Sequence, residues 1–343
     1  MRALIYDPYL DTAGGGERYM LTAAAVLSRH GYKVDVWWKD KKIASWLQTR
    51  LGIDFSGITF IDALNHGLGY DLVFWLSDGS LPLLMGRKNV VHFQTPFKNI
   101  GGRTLFNRLK KVKIDEVVCN SNFTKSVIDK EFNVASRVVY PPVNTDFFLS
   151  CKKENIILYV GRYSQLQQLK RQDVLVEAFC KMLEQGLKGW RLMLIGGSEI
   201  GGREYVKTLK NMSQGHPIDI LENLPLDKVQ KAYGKAKIFW SASGFGVDSQ
   251  RDPQQVEHFG MSVVEAMSAE CVPVVVDQGG HKEILKDNDN GFLWNSFDEL
   301  TGKTLQLIKD ERRRIKLAKE AKKTSKKFSI AEFERSILKV FEG

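Results

Sequence analysis

Residues 3–38 read ALIYDPYLDTAGGGERYMLTAAAVLSRHGYKVDVWW. A short apolar run at 3–6 meets Gly14, Gly15 and Gly16. Tyr19, Met20, Ala23, Ala24 and Leu27 then recur at helical spacing, and a second apolar run follows at 33–38. Gly31 falls where a helix of residues 17–30 ends in left-handed backbone. Strand, glycine turn, helix, strand is the order of a βαβ unit, whose strands lie parallel because the helix carries the chain back.

The same alternation extends outward. Further strands are expected at 58–61, 72–76, 90–93 and 116–119, a helix at 122–130, and a last run at 138–140 that Pro141-Pro142 forces into an extended exit. Residues 150–155 are polar, with a linker's composition, and the pattern then restarts. Strands fit 156–160, 191–195, 219–221, 238–241 and 272–276, and helices fit 171–185, 226–234, 261–269 and 281–285. The expectation is an α/β chain with two Rossmann-like parallel-sheet domains at 1–150 and 151–327, facing across a cleft between the carboxyl ends of their strands. Residues 310–327 read as a solvated basic helix. Residues 328–343 hold an amphipathic helix expected to pack back on the first domain.

The chain has 343 residues, of which 43% are hydrophobic, enough for packed cores and against global disorder. Lys plus Arg number 50 and Asp plus Glu 40, and the net charge of +10 suits an anionic partner: a nucleotide, a membrane surface or a nucleic acid. No aromatic platform accompanies the charge, which disfavours nucleic acid. No apolar run approaches the roughly 20 residues that span a bilayer. The opening residues carry Asp7 and Asp11 where a signal peptide would be apolar. A cytoplasmic chain is expected, with contact at the inner face of a membrane left open. Cys119, Cys151, Cys180 and Cys271 are scattered, so reduced, mostly buried thiols are expected, and no metal site.

Four places could carry chemistry. Glu257-His258-Phe259-Gly260-Met261-Ser262-Val263-Val264-Glu265 sets two carboxylates about a helix start. The N–H groups near Ser262 suit an anion, Glu265 suits ribose hydroxyls, and Glu257, on the preceding loop, suits a sugar. Arg162 and Lys170 flank a strand-to-helix loop, where two cations suit a diphosphate. Gly14 to Gly16 permit close backbone approach to a phosphate, although they match neither the dinucleotide fingerprint nor the P-loop. His92, at a strand end before Phe93-Gln94-Thr95-Pro96, could meet an acceptor hydroxyl or be bonded to a loop. Asp287-Asn288-Asp289 precedes Asn290-Gly291 and reads as a turn rather than a metal site. Residues 98–113 carry Lys98, Arg103, Arg108, Lys110, Lys111 and Lys113, with Leu105, Phe106, Leu109 and Val112 interleaved. A membrane-surface helix and a solvated helix packed on its own domain both fit.

Together these residues resemble the family 4 (group 1) retaining glycosyltransferases of GT-B fold. The resemblance runs through nearly the whole chain: the family's E-x7-E element at Glu257 to Glu265, its glycine-rich loop at Gly14 to Gly16, and its Gly-Arg and Lys diphosphate contacts at Gly161, Arg162 and Lys170. Residues 139–147 resemble the close of the family's first domain, and Gly279, Gly280 and Glu283 the segment after its last long strand. His258-Phe259-Gly260-Met261, with His92 and Pro96, is similar to mannosyltransferases acting on lipid-linked oligosaccharides.

The resemblance implies a hexosyltransferase of glycan biosynthesis. The first domain would take a glycan or lipid-linked acceptor, and the second a nucleotide-sugar donor, GDP-mannose first and a UDP-sugar second, with no metal or other cofactor. Glu257, His92, Arg162 and Lys170 would be catalytic. Gly15, Gly16, Arg162, Lys170, Phe259, Gly260, Met261, Ser262 and Glu265 would bind the donor. An epimerase of the same fold and a non-catalytic nucleotide-sugar-binding protein remain the alternatives.

Overall fold

Unit 1 comprises Met1–Pro142 and the stretch from Ile330 onward, and unit 2 is Val143–Ser329. The computed structural model describes residues 1–164, 168–197 and 202–342. In unit 1 the order is β1 (Arg2–Tyr6), α1 (Gly15–Arg29), β2 (Lys33–Trp37), α2 (Ile43–Leu51), β3 (Ile58–Ile61), β4 (Leu72–Leu76), β5 (Lys88–Phe93), α3 (Leu105–Lys111), β6 (Glu116–Cys119), α4 (Asn122–Phe132) and β7 (Arg137–Val138). Unit 2 holds β8 (Ile156–Val160), α5 (Gln172–Glu184), β9 (Arg191–Gly196), α6 (Gly202–Met212), β10 (Ile218–Glu222), α7 (Leu226–Lys235), β11 (Ile238–Ser241), α8 (Met261–Ser268), β12 (Val272–Val276), α9 (His281–Ile284), β13 (Phe292–Trp294), α10 (Phe297–Lys309) and α11 (Glu311–Ser325). The chain then returns to unit 1 as α12 (Ile330–Glu342).

Each sheet is parallel between all neighbours. Sheet 1 has the order β3-β2-β1-β4-β5-β6-β7 and sheet 2 the order β10-β9-β8-β11-β12-β13. The central strands are apolar runs rather than alternations: β4 (LVFWL) and β12 (VPVVV) are buried at every residue. A strand covered by other elements on both faces has no solvent side to write in polar residues. Strand order reverses between β1 and β4 and between β8 and β11, and at such a switch the loops leaving the carboxyl ends splay apart and leave room for a ligand.

The division between units falls after Pro142 rather than near residue 150, because Val143 donates its N–H to Phe328 O (2.9 Å) and bridges to Ser329. On α12, Phe333, Ile337, Val340 and Phe341 form one buried stripe in the unit 1 core. Phe333 meets Tyr19 edge-on at 4.9 Å, and Phe341 meets Phe74 likewise at 5.3 Å. At the rim Glu334 bonds Arg29 (2.6 Å) and His30 (2.9 Å). Core truncation and rim truncation should separate cleanly. Phe333→Ala is expected to cost about 3–5 kcal/mol in urea unfolding, and Arg29→Ala under about 1 kcal/mol. Equal costs would mean that α12 is held by charge rather than by packing.

Other expectations need correcting. Gly15 and Gly16 are not an open loop but the first turn of α1. Gly14 precedes them as N-cap, and the Glu17 carboxylate accepts from Gly14 N (2.5 Å) and Thr12 Oγ1 (2.7 Å), which draws the run into the helix. α11 is not wholly solvated, since Arg314, Leu317, Ala318, Ala321 and Ser325 are buried and the helix packs on α8. Of the free cysteines, Cys119 and Cys271 are buried, Cys180 is half-buried and Cys151 is exposed. Residues 287–291 are the expected turn, closed by Asn288 N donating to Gly291 O at 2.8 Å. Among the described residues no helix is long and apolar enough to cross a membrane.

Candidate active site

In unit 2 the singled-out residues leave the carboxyl edge of sheet 2 around the switch between β8 and β11. After β8, Gly161 N donates to Ile195 O (2.9 Å), Tyr163 N to Gly197 O (2.9 Å), and the buried Tyr163 hydroxyl to Leu194 O (2.8 Å). Those bonds fix where the loop starts. Arg162 is half-buried, and its carbonyl accepts from Gln172 Nε2 at 2.8 Å. Residues 165–167 of this loop lie outside the described residues. The loop returns at Leu169, whose N–H donates to Gln255 O (3.1 Å) and whose carbonyl accepts from Gly244 N (2.8 Å). Lys170 is thereby stapled to the segment that follows β11.

Across that staple Lys170 Nζ donates to Glu257 Oε2 at 2.8 Å, with both side chains 12% exposed. Burial alone would raise the Glu257 carboxyl; the charges of Lys170 and His281, the Lys170 hydrogen bond and His258 overcome it and hold the group at about 2. Glu257 is therefore a carboxylate at any ordinary pH. Its own carbonyl accepts from Gly280 N at 2.8 Å.

Gly260 caps α8 with φ +110°, which side chains with a Cβ rarely adopt. A Cβ there would lie 3.2 Å from His281 Cδ2 and 3.3 Å from Ile284 Cδ1, and one on Gly280 would lie 2.4 Å from Phe259 Cα. The loop before α8 and the start of α9 thus touch backbone to backbone. Phe259 is buried and meets Phe328 edge-on at 5.3 Å, anchoring the turn. Met261 and Ser262 are half-buried at the start of α8, whose first N–H groups point out of the helix with its partial positive charge. Further along α8, Glu265 Oε2 accepts from the Tyr233 hydroxyl at 2.8 Å.

Lys170, Glu257, Phe259, Gly260, Met261, Ser262 and Glu265 are thus gathered about one helix start, with Arg162 on the same sheet edge. His92, Gly15 and Gly16 belong to unit 1. The His92 imidazole is wholly buried, stacked on Tyr19 at 4.0 Å, and its Nδ1 donates to Val118 O at 3.1 Å. Burial holds it at about 3, so it is neutral, and its Nε2 has no partner among the described residues. It is a packed histidine, not one presented to solvent. Gly16 O accepts from Gln94 Nε2 at 3.1 Å.

The sequence reading missed three groups. Tyr233 positions Glu265 from α7, with no local pattern to mark it. His281 is buried beside Gly260, its Nδ1 donating to Val276 O (3.0 Å), its Nε2 unpartnered among the described residues and its basicity lowered by burial; the Gly-Gly-His step was the available signal. Asp7 is buried in unit 1, and burial and then Glu17 push its carboxyl well above the usual range.

Two parallel α/β units, each with a reversal of strand order, make the GT-B class of fold. The chain belongs to the group 1 glycosyltransferases: the family model "Glycosyl transferases group 1" matches residues 145–324, and "Glycosyltransferase Family 4" matches residues 13–147. An uncharacterized glycosyltransferase of Methanocaldococcus jannaschii is 28% identical over 246 residues, 71% of this chain and 64% of that protein. A GDP-Man:Man(3)GlcNAc(2)-PP-Dol alpha-1,2-mannosyltransferase of Dictyostelium discoideum is 26% identical over 235 residues, 64% of this chain and 44% of that protein. The chain thus spans less than two thirds of the length of these relatives. The crystal structure of Anabaena HepE in complex with UDP shares the fold over the whole of both chains, with a TM-score of 0.78 at 17% identity.

Proposed function

We propose that this chain transfers a hexose, mannose first, from a nucleotide-diphosphate sugar to a hydroxyl of a glycan or lipid-linked acceptor, with retention of anomeric configuration and without a metal ion. The observation that carries the reading is the Lys170–Glu257 pair at 2.8 Å beside the start of α8. When the bond from the sugar's anomeric carbon to the diphosphate breaks, negative charge grows on the leaving oxygens. Lys170, Arg162 and the N–H groups of Met261 and Ser262 supply fixed positive charge for it. The acceptor oxygen forms the new bond on the face the diphosphate leaves, and its proton passes to a leaving phosphate oxygen. Glu257 aligns Lys170 and offers its second oxygen to sugar hydroxyls. Glu265, braced by Tyr233, accepts from the ribose.

GDP-mannose and a lipid-linked acceptor are favoured because relatives from several eukaryotes are described as using GDP-Man and a PP-Dol-linked glycan. A UDP-sugar stands second because the Anabaena structure of the same fold also holds UDP-glucose. The test is thermal unfolding with GDP-mannose, UDP-glucose or ADP-glucose, then product analysis with and without EDTA. At about a hundred times Kd a ligand adds about 2.7 kcal/mol to the native state. A rise with GDP-mannose and an EDTA-insensitive glycoside product are expected. A rise with ADP-glucose alone overturns both donor choices, and an epimerised donor with no glycoside overturns the transferase reading.

A further inference from the structure

Four of the large apolar side chains that the described residues leave exposed fall within eight positions: Leu105 (73%), Phe106 (66%), Leu109 (64%) and Val112 (81%). They sit on α3 and its C-cap, and α3 has no buried residue at all. At 3.6 residues per turn these four span an arc of about 120°, with Arg108 and Lys110 on its borders and Lys111 opposite. Between residues 98 and 113 there are six Lys or Arg and no Asp or Glu.

The segment is firmly mounted. The N–H groups of Asn99, Ile100 and Gly102 donate to the Glu131 carboxylate at 2.9–3.0 Å. Lys111 Nζ donates to Phe132 O (3.0 Å) and Asn133 O (2.8 Å) at the end of α4, and the Arg103 guanidinium caps Lys130 O (3.0 Å). These bonds use the inner cations to hold the apolar arc outward. Lys110 lies 4.3 Å over the Phe106 ring at the arc's border.

We infer that α3 and its flanks are a docking surface for an anionic lipid bilayer, with Leu105, Phe106, Leu109 and Val112 entering the headgroup boundary and Arg108, Lys110 and Lys113 meeting lipid phosphates. An apolar arc bordered by cations matches the layering of a bilayer surface, apolar below and anionic above. A nucleic acid would satisfy the charge and leave the four apolar side chains in water. The preformed mounting means that little chain entropy is lost on docking. Nothing in this inference depends on the sugar-transfer reading, and its test uses no donor, so the two can fail separately.

The test is flotation of the full chain with vesicles of phosphatidylcholine alone or with 30% phosphatidylglycerol, at low and high salt, with a 20-nucleotide DNA strand as competitor. Preferential binding to the anionic vesicles, by tenfold or more, is expected, weakening with salt. Phe106→Ser with Leu109→Ser keeps the charge and should lose at least tenfold. Arg108→Gln with Lys110→Gln should lose roughly fivefold per cation. Phe106, Arg108 and Leu109 are exposed and Lys110 is half-buried over the Phe106 ring, so the unfolding midpoint should stay in place and serve as the folding control. Failure of the wild-type chain to float with anionic vesicles, equal binding by the serine variant, or displacement by DNA with no response to that variant overturns the inference.

Discussion

Lys170→Ala should lower kcat/KM by about 10²–10³-fold, the usual loss when a fixed charge on a leaving group is removed. It should also destabilise the native state by about 3–5 kcal/mol, because Glu257 is left as a buried carboxylate without its partner. The 2.8 Å bond and the 12% exposure of both side chains put the pair in the class where the orphaned charge, not the lost attraction, sets the size of the effect. The two consequences come apart in a second variant. Lys170→Met combined with Glu257→Gln removes both charges, so urea unfolding should recover most of the lost stability while turnover stays down. Lys170→Arg should retain more activity than either. If Lys170→Ala turns over within threefold of wild type, the cation is structural and the leaving group is stabilised elsewhere.

Acid should weaken the wild-type fold through Glu257 over a defined window. The carboxyl sits at about 2 in the fold, against an ordinary value of 4.5. A depressed carboxylate pKa means that the unfolded chain binds the extra proton between those two values. Its stabilising contribution, about 3 kcal/mol, is therefore complete above about pH 4.5, declines as pH falls and is gone below about pH 2. Glu257→Gln should flatten the stability profile between pH 4.5 and 2 relative to wild type and leave the profile above pH 5 parallel. Urea midpoints at pH 6, 4.5, 3.5 and 2.5 in both proteins measure the difference, and identical slopes below pH 4.5 would remove Glu257 as its source.

Regular alternation of apolar runs with helical stretches made both parallel sheets readable, because a strand covered on both faces is written almost wholly in apolar residues. Short or polar elements were not readable. β13 is three residues long and begins just after the Asn290-Gly291 turn, and α6 (GREYVKTLKNM) buries only Gly202, Tyr205, Val206 and Leu209 of a polar stretch. The unit boundary depends on Val143 meeting Phe328 and Ser329 from the far end of the chain, a pairing that no local pattern encodes.

At the site, Glu257, Glu265, Gly260 and Lys170 could be picked out by residue type and spacing. Their arrangement could not. That Lys170 is bound to Glu257 follows from the stapling of Leu169 to Gln255 and Gly244. His92 shows the converse. A histidine at a strand end has the same signature whether it faces a ligand or the core, and here Tyr19 lies against its ring.

Because α12 completes the core of unit 1, synthesis order and folding order are in conflict. A ribosome delivers β1 to β7 before α12, yet the rings of Tyr19 and Phe74 are covered only when Phe333 and Phe341 emerge, after all of unit 2. Nascent unit 1 therefore waits with an open apolar seam while unit 2, contiguous in sequence, can close on its own. Emergence of α12 from the exit tunnel, rather than completion of the first sheet, is the event that finishes unit 1.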